Sequence, residues 1–250
     1  MNAATTLMLS VDESAAPPLT RGFLLVEPTM LIHAPDLAAL DMRPCSPRVL
    51  AHREELMPHL IDLAALDAQS QDIAAAHWQD EVTTERPPVA CAWLNTEASA
   101  DTVVEHIARH LVGPGADGRP VFWRYYDPRV LSLALAILEP DQRRALLGPI
   151  DVWRFAWAGH RWSVDVPGAK VVPEDQSTGW PRPDQWPRLD RSEVAEQVRQ
   201  RLPALTSNQA ARLPAAIDQA LHALADQDVA GTDALVEHAV QRVQQELLAE

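Results

Sequence analysis

The segment at residues 121–131, VFWRYYDPRVL, constrains the fold of this chain more than any other stretch. Its aromatic run around Arg124 is typical of a strand, and the run stops at an Asp-Pro-Arg turn that leads into an apolar helix pattern. Asp127 suits the N-cap of this helix because its carboxylate can accept hydrogen bonds from the unpaired N–H groups of the first turn. Pro128 suits the first helical position, where its missing N–H costs nothing. The segment therefore predicts a buried corner in which a strand passes directly into a helix.

The charged side chains of this corner favour an architectural role. Arg124, Asp127 and Arg129 could together hold an anionic group at the helix N-terminus. However, Asp127 itself already occupies the position that an anion would take, and an arginine paired with it in bidentate geometry would fix the corner. Charge pairs at tight turns are usually structural, so ligand binding is the less favoured interpretation.

The sequence around the corner predicts an α/β lobe over residues 21–166. Short apolar runs predict strands, a β-hairpin is expected at the end of the lobe, and helical spacing or helix-start signals predict helices between them. The predicted strands are residues 23–27, 59–63 and 88–95, the hairpin is residues 152–166, and the helices before the corner are residues 44–56, 71–82 and a segment capped by Ser99 or Asp101. Strands that alternate with helices and end in a hairpin predict an α/β fold with a sheet of mixed strand direction.

Three further segments are expected outside this lobe. Residues 1–20 are small, polar and contain prolines, which predicts a mobile tail. Residues 167–188 contain five prolines with Trp180 and Trp186 between them, which predicts a linker. Residues 189–250 carry apolar residues at helical spacing and predict an all-helical lobe.

The composition indicates which partners are not expected and in which cellular compartment the protein works. The chain has a formal net charge of −14, from 21 basic and 35 acidic residues, so a nucleic-acid backbone or an anionic membrane is not expected as a partner. Cys45 and Cys91 do not make a disulfide framework in a chain of 250 residues. No segment approaches the ~18 apolar residues of a membrane span, and the N-terminus lacks a signal-peptide pattern. We therefore expect a cytoplasmic protein.

Two histidines have a spacing that can bind metal. His106 and His110 lie four residues apart on one predicted helix, which can place two imidazoles on one ion. The sequence has no glutamate between them and no third ligand nearby. Because the apolar stripe of this helix faces elsewhere, both histidines are predicted at the surface or its boundary, without a metal.

No catalytic motif is present in the sequence. Cys91 could act as a nucleophile with a histidine, but it lies within the predicted strand at residues 88–95, where a small buried residue is the usual role. A glycine-rich phosphate loop, a nucleophile elbow and a paired-carboxylate signature are all missing from the sequence. We therefore predict no catalytic residue, no cofactor and no metal, and we expect that the chain is not an enzyme.

The corner also resembles a known family. RYYDPRVL at residues 124–131, followed by LLGPIDVW at residues 146–153, is similar to the signature of the type VI secretion effector-adaptor family of bacteria. The corner positions that match this signature are Arg124, Tyr126, Asp127, Pro128 and Arg129. Residues 57–63 resemble a further Pro-x-Leu-x-x-Leu segment of the family, and the resemblance is good from residue 23 to residue 162.

The resemblance implies a binding function. Family members are adaptors, or chaperones, that bind a cognate effector and load it onto the VgrG spike protein. By analogy, the α/β lobe would serve the role common to the family and the helical lobe would select the cargo. Two alternatives stay open: a small α/β hydrolase or transferase with Cys91 or a His–Asp pair as catalyst, and an immunity protein that blocks a toxin.

Five apolar residues of the C-terminal part are the partner-binding candidates, namely Trp180, Trp186, Leu221, Leu235 and Val243. Tryptophans in a Pro-rich segment either hold that segment onto the domain, which is the commoner use, or anchor a partner chain. The other three residues lie on apolar stripes of predicted helices. Such stripes pack on the α/β lobe or form a groove for an effector helix, and the sequence does not decide between these uses.

Overall fold

The computed structural model of this chain describes residues 8–12, 19–165, 179–225 and 231–248. The strands in these ranges are β1 (Met8–Val11), β2 (Phe23–Val26), β3 (Arg43–Pro44), β4 (His59–Asp62), β5 (Ala90–Asn95), β6 (Val112–Pro114), β7 (Pro120–Phe122), β8 (Val152–Trp157) and β9 (His160–Asp165). A seven-stranded sheet has the order β1-β9-β8-β5-β2-β4-β3, and β6 and β7 form a separate two-stranded ladder.

The α-helices are α1 (Ala68–Asp80), α2 (Ala100–Arg109), α3 (Pro128–Ile137), α4 (Pro140–Leu147), α5 (Trp186–Leu189), α6 (Ser192–Arg201), α7 (Ser207–Ala223) and α8 (Thr232–Leu248). Shorter 3₁₀ segments occur at Pro28–His33, Leu37–Ala39, Arg48–Leu56 and Leu63–Ala65. None of the helices in the described ranges is long and apolar enough to cross a membrane.

These elements confirm the predicted α/β class with a helical C-terminal region, but the expected mixture of strand directions is wrong. Every strand pairing in the described ranges is antiparallel. β4 and β5 run in the same direction, yet each pairs with β2, which lies between them. Strands and helices therefore alternate along the chain although the sheet contains no parallel pair in the described ranges. β4 and β5 could have formed such a pair, but β2 lies between them.

The hairpin predicted at residues 152–166 is present as β8 and β9, and Val166 lies outside the described residues. Its two-residue turn consists of Ala158 and Gly159, which have φ angles of 56° and 77°. Positive φ at both positions is the geometry of the turn that matches the twist of paired strands. The two-residue loop between β8 and β9 therefore has the backbone conformation that short hairpin loops favour.

The tail predicted over residues 1–20 is wrong for Met8–Val11, which form the edge strand β1. β1 pairs with β9, and the register runs from Met8↔Asp165 to Val11↔Trp162. Four residues carry little strand signal alone, and their partner lies at the other end of the lobe. Residues 1–7 and 13–18 of the predicted tail, and residues 167–178 of the predicted linker, lie outside the described part of the chain.

The sheet is covered on both faces, and β2 shows this directly. All four of its residues are buried. Phe23 and Leu25 belong to the larger hydrophobic cluster, whereas Leu24 and Val26 belong to a smaller cluster with Trp78 of α1. Because side chains alternate between the two faces of a strand, a strand buried on both faces reads as a continuous apolar run.

The C-terminal helices share their core with the α/β lobe. α3 packs against α6 and α7, and α7 also contacts the edge strand β1. A single hydrophobic cluster contains Leu131 of α3, Phe155 of β8, Leu213 of α7 and Val243 of α8. The helical region therefore covers one face of the sheet and stabilises it by shared apolar burial.

Candidate functional site

The Asp-Pro-Arg corner has the local structure that its sequence predicts at the start of α3. Asp127 is the N-cap, and its Oδ1 accepts a hydrogen bond of 3.0 Å from the Arg129 backbone N–H. Pro128 is the first residue of the helix. The strand before it is shorter than expected: β7 ends at Phe122, and residues 124–127 form a turn in which the Asp127 N–H donates to the Arg124 carbonyl at 3.0 Å.

Arg129 pairs with Asp127 in bidentate geometry. Its Nε donates to Oδ1 at 2.9 Å and its Nη2 donates to Oδ2 at 2.6 Å. Asp127 is buried, and its hydrogen bonds raise the pKa of Arg129. The expected bidentate pair is therefore present, and it fixes the direction in which the chain enters α3.

Arg124 connects this pair to a second buried carboxylate, Glu27, which follows β2. Its Nη2 donates to Glu27 Oε2 at 2.8 Å and to Asp127 Oδ2 at 3.3 Å. Tyr126 also donates to Glu27 Oε2, at 3.0 Å, and Thr29 donates to Oε1 through its backbone and its hydroxyl. Burial, and then the charge of Glu27, raises the pKa of Tyr126, so the phenol stays protonated as a donor.

Two guanidinium groups thus neutralise two buried carboxylates, and we call Glu27, Arg124, Tyr126, Asp127 and Arg129 the corner cluster. A buried carboxylate is stable only when its charge is paired and hydrogen-bonded, and both carboxylates meet that requirement. The cluster joins the end of β2 to the start of α3. Beside it lies a polar groove of about 520 Å³, which Arg124, Asp127 and Arg129 line together with residues of α6.

Glu27 is the member of the corner cluster that sequence reasoning missed. The signal was the position of a carboxylate directly after the apolar run at residues 23–26 and before Pro28. A charge at the end of a strand that is buried on both faces needs a partner. The sequence does not show which arginine supplies that partner.

The prediction that His106 and His110 lie at the surface is wrong, because both are buried. His106 Nε2 donates to the Leu146 carbonyl at 2.8 Å, and His110 Nδ1 donates to the His106 carbonyl at 3.0 Å. The C-terminal end of α4, with Leu146 and Gly148, packs on this side of α2, so a second face of the helix is buried besides its apolar stripe. Within the described ranges, no group of three or more His, Cys, Asp or Glu side chains could hold a metal ion.

Burial of His106 predicts a pH dependence of stability. Burial, and then the neighbouring His110, lowers the pKa of His106 from 6.5 to about 3. The unfolded chain therefore binds this proton first as the pH falls, and stability that is complete above pH 6.5 decreases toward pH 3 by about 1.4 kcal/mol per pH unit. His106→Gln keeps a donor for the Leu146 carbonyl but has no titrating ring.

Urea unfolding of the wild-type chain and His106→Gln between pH 7 and pH 5 checks this prediction. We expect the free energy of unfolding to fall more steeply with decreasing pH in the wild-type chain than in His106→Gln. The difference between the two slopes should correspond to one proton. Parallel pH profiles for the two proteins would contradict it.

Cys91 lies in the interior of β5, as expected for a small buried residue. Burial raises the pKa of its thiol, so the thiol is protonated at neutral pH. A cysteine acts as a nucleophile as the thiolate, and reactive cysteines are partly exposed. Its position therefore matches packing in the core and does not favour the alternative of a Cys91-based catalyst.

Trp180 and Trp186 hold the segment before α6 onto the α/β lobe. Both are buried, and both rings contact Trp123 edge-on, with centroid distances of 5.5 Å and 5.8 Å. Trp180 Nε1 donates to the Pro114 carbonyl at 2.6 Å, and a Cβ at Gly113 would lie 2.6 Å from the Trp180 ring. In this structure the two tryptophans pack within the chain and are not displayed to a partner.

The remaining partner-binding candidates are divided between the core and a groove. Val243 is fully buried in the shared core. Leu221 is also buried, and Leu235 is half-buried, but both line a groove of about 330 Å³ next to the start of α8. Of the five candidates, Leu235 is the one that a partner could contact without moving the helices.

A family comparison places the corner cluster in a known context. Residues 34–145 match the family described as "Domain of unknown function (DUF4123)". The match covers less than half of the chain. It includes the four corner residues from Arg124 to Arg129, but not Glu27 or the helices α5–α8. Comparisons with curated proteins and with solved structures gave no significant match.

Proposed function

We propose that this chain is a cytoplasmic adaptor that binds a cognate type VI secretion effector and loads it onto the VgrG spike. The observation that carries the proposal is the match of residues 34–145 to DUF4123, a family known in type VI effector adaptors. The matched range contains the Asp-Pro-Arg corner, whose sequence resembles the adaptor signature. The adaptor acts by binding alone, without a covalent step.

The chemistry of the corner cluster supports binding over catalysis. Its carboxylates and guanidiniums pair with one another, and its phenol is kept protonated by burial. A catalytic acid or base needs a proton that it can exchange with a substrate near neutral pH. The cluster is therefore an architectural element that shapes the surface around it.

We also propose that the helical region selects the cargo. Deleting residues 189–250 is a poor test, because it would remove α6 and α7 from α3 and expose the shared core. Substitutions on the exposed face of α8 avoid this problem. Glu237 and Arg242 are exposed on that face, so their charges can be reversed without opening the core.

Co-expression with the proteins encoded by the neighbouring genes tests the proposal. We expect the affinity-tagged chain to retain a toxin-like effector and a VgrG-type spike through size exclusion. The double variant Glu237→Arg/Arg242→Glu should lose the effector and keep the spike. A wild-type chain that elutes alone would contradict the adaptor function, whereas a double variant that keeps both partners would contradict only the role of α8.

A further inference from the structure

An apolar groove lies between α2 and the 3₁₀ segment Arg48–Leu56. It has a volume of about 760 Å³ and is lined on its apolar side by Pro47, Val49, Val104, Ala108 and Val112. Val49 is 66% exposed and presents a branched apolar side chain at the groove. The groove is separate from the corner cluster, since the two share no lining residue.

The apolar residues of α2 and of the turn after it point in two directions. Val103, Ile107 and Leu111 are fully buried in the larger hydrophobic cluster. Val104 and Ala108 lie one position after Val103 and Ile107, and successive helical positions differ by about 100° around the helix axis. Val104 is half-buried against the same cluster and Ala108 is 8% exposed, and both also line the groove. The outer edge of the apolar face of α2 therefore forms part of the groove wall.

The ladder of β6 and β7 extends the groove. Val112 of β6 lines it, and Val112 is directly opposite Phe122 of β7 in the antiparallel register. Directly opposite residues project from the same face of a ladder, so Phe122 adjoins Val112. Phe122 is 39% exposed. Apolar side chains therefore continue from Val49 along the groove wall of α2 to Val112 and the Phe122 ring.

The charge of the groove is opposite to that of the chain as a whole. Arg48 and Arg109 line it with a single carboxylate, Glu105, whereas the chain has a formal net charge of −14. A surface that is locally basic on an acidic protein attracts acidic groups and repels further copies of the same chain. Charge complementarity thus favours an acidic partner over self-association.

The walls of the groove favour a helical occupant. Apart from Val112 of β6, the lining residues belong to α2 and to residues 46–49, which are not strands and do not offer the N–H and C=O row of a sheet edge. An extended peptide would leave its own backbone groups unpaired there, whereas a helix satisfies them internally.

We propose that the groove receives an amphipathic helix of the protein partner, whose apolar residues contact Val49, Val104 and Ala108 and whose carboxylates face Arg48 and Arg109. The inference rests on the proposed adaptor function, because it names the surface that such a partner uses. All the lining residues fall within the range that matches DUF4123.

Charge substitutions in the groove test the inference. Val49→Asp places a carboxylate against the apolar face of the incoming helix, and Arg48→Glu reverses the rim charge. We expect each to weaken binding to the co-expressed effector or spike by roughly tenfold or more, because Val49→Asp buries an unpaired carboxylate and Arg48→Glu repels the carboxylates of the partner. Both side chains are exposed, so the melting temperature should not change.

Ala65→Asp, at an exposed position that flanks the smaller cluster, is the matched control and should bind like the wild-type chain.

Photo-crosslinking identifies the occupant. Position 49 is replaced by p-benzoylphenylalanine in the full chain, and the cross-linked peptide of the partner is sequenced. We expect a segment with apolar residues at helical spacing and flanking Asp or Glu. If the wild-type chain forms its complex while Val49→Asp and Arg48→Glu bind equally well, the groove is not the docking site and the adaptor function stands. If the wild-type chain binds neither protein, the proposed function fails and the inference fails with it.

Discussion

Asp127→Ala should lower the free energy of unfolding by about 3 kcal/mol. The lost N-cap accounts for about 1 kcal/mol. The larger part arises because Arg129 and Arg124 lose a buried carboxylate that both of them contact, and removal of one partner from a buried ion pair is strongly destabilising. Both arginines are partly exposed, and hydration of their guanidiniums keeps the loss below the upper end of about 5 kcal/mol for such pairs.

Asp141→Ala is the matched control for this prediction. Asp141 also lies in the first turn of a helix and pairs with an arginine, Arg144, at 2.8 Å, but its side chain is 85% exposed. Exposed pairs contribute about 0–1 kcal/mol. Urea unfolding of both variants gives the comparison. Equal losses for Asp127→Ala and Asp141→Ala would show that burial of the corner cluster contributes nothing to stability.

Gly148→Ala should destabilise the chain by about 3–5 kcal/mol or prevent soluble expression. Gly148 ends α4 with a φ of 55° and a ψ of −121°, outside the left-handed helical region, and this conformation costs an L-residue roughly 1–3 kcal/mol. A Cβ there would also lie 2.1 Å from His106 Cε1, and a forced overlap in a packed core costs about 1–3 kcal/mol more. The overlap would also displace the hydrogen bond from His106 to the Leu146 carbonyl.

Gly118→Ala is the control for a positive φ without an overlap. Gly118 has a φ of 77°, but a Cβ at this position would meet no atom within 4 Å. We expect a loss of about 1–2 kcal/mol from the backbone conformation alone. Thermal unfolding followed by circular dichroism measures both variants. A Gly148→Ala variant as stable as Gly118→Ala would contradict the close packing of His106 against the end of α4.

Features that depend on neighbouring residues were predictable from the sequence. The Asp127 cap, the first-turn Pro128 and the hairpin at residues 152–166 each follow from a few adjacent residues, and the structure contains all three. Burial of Cys91 followed from its place in an apolar strand. These predictions succeed because capping, turn geometry and strand alternation act over short distances along the chain.

Features that depend on distant residues were not predictable. Glu27 meets Arg124 across 97 positions, and β1 finds its partner in β9 at the other end of the lobe. The position of His106 in its own helix, with the apolar stripe on another face, predicts a place near the surface, but the C-terminal end of α4 covers it. In each case the deciding contact comes from tertiary packing, which helical or strand periodicity does not report.

If the chain connects an effector to a spike, all three proteins form one assembly, whose mass can be measured. The purified chain, the toxin-like effector and the VgrG-type protein of its neighbouring genes are mixed and analysed by size exclusion with light scattering. We expect one species that contains all three proteins and is heavier than either two-component complex. A chain that binds the two proteins only in mutually exclusive complexes, or binds neither of them, would contradict the adaptor function.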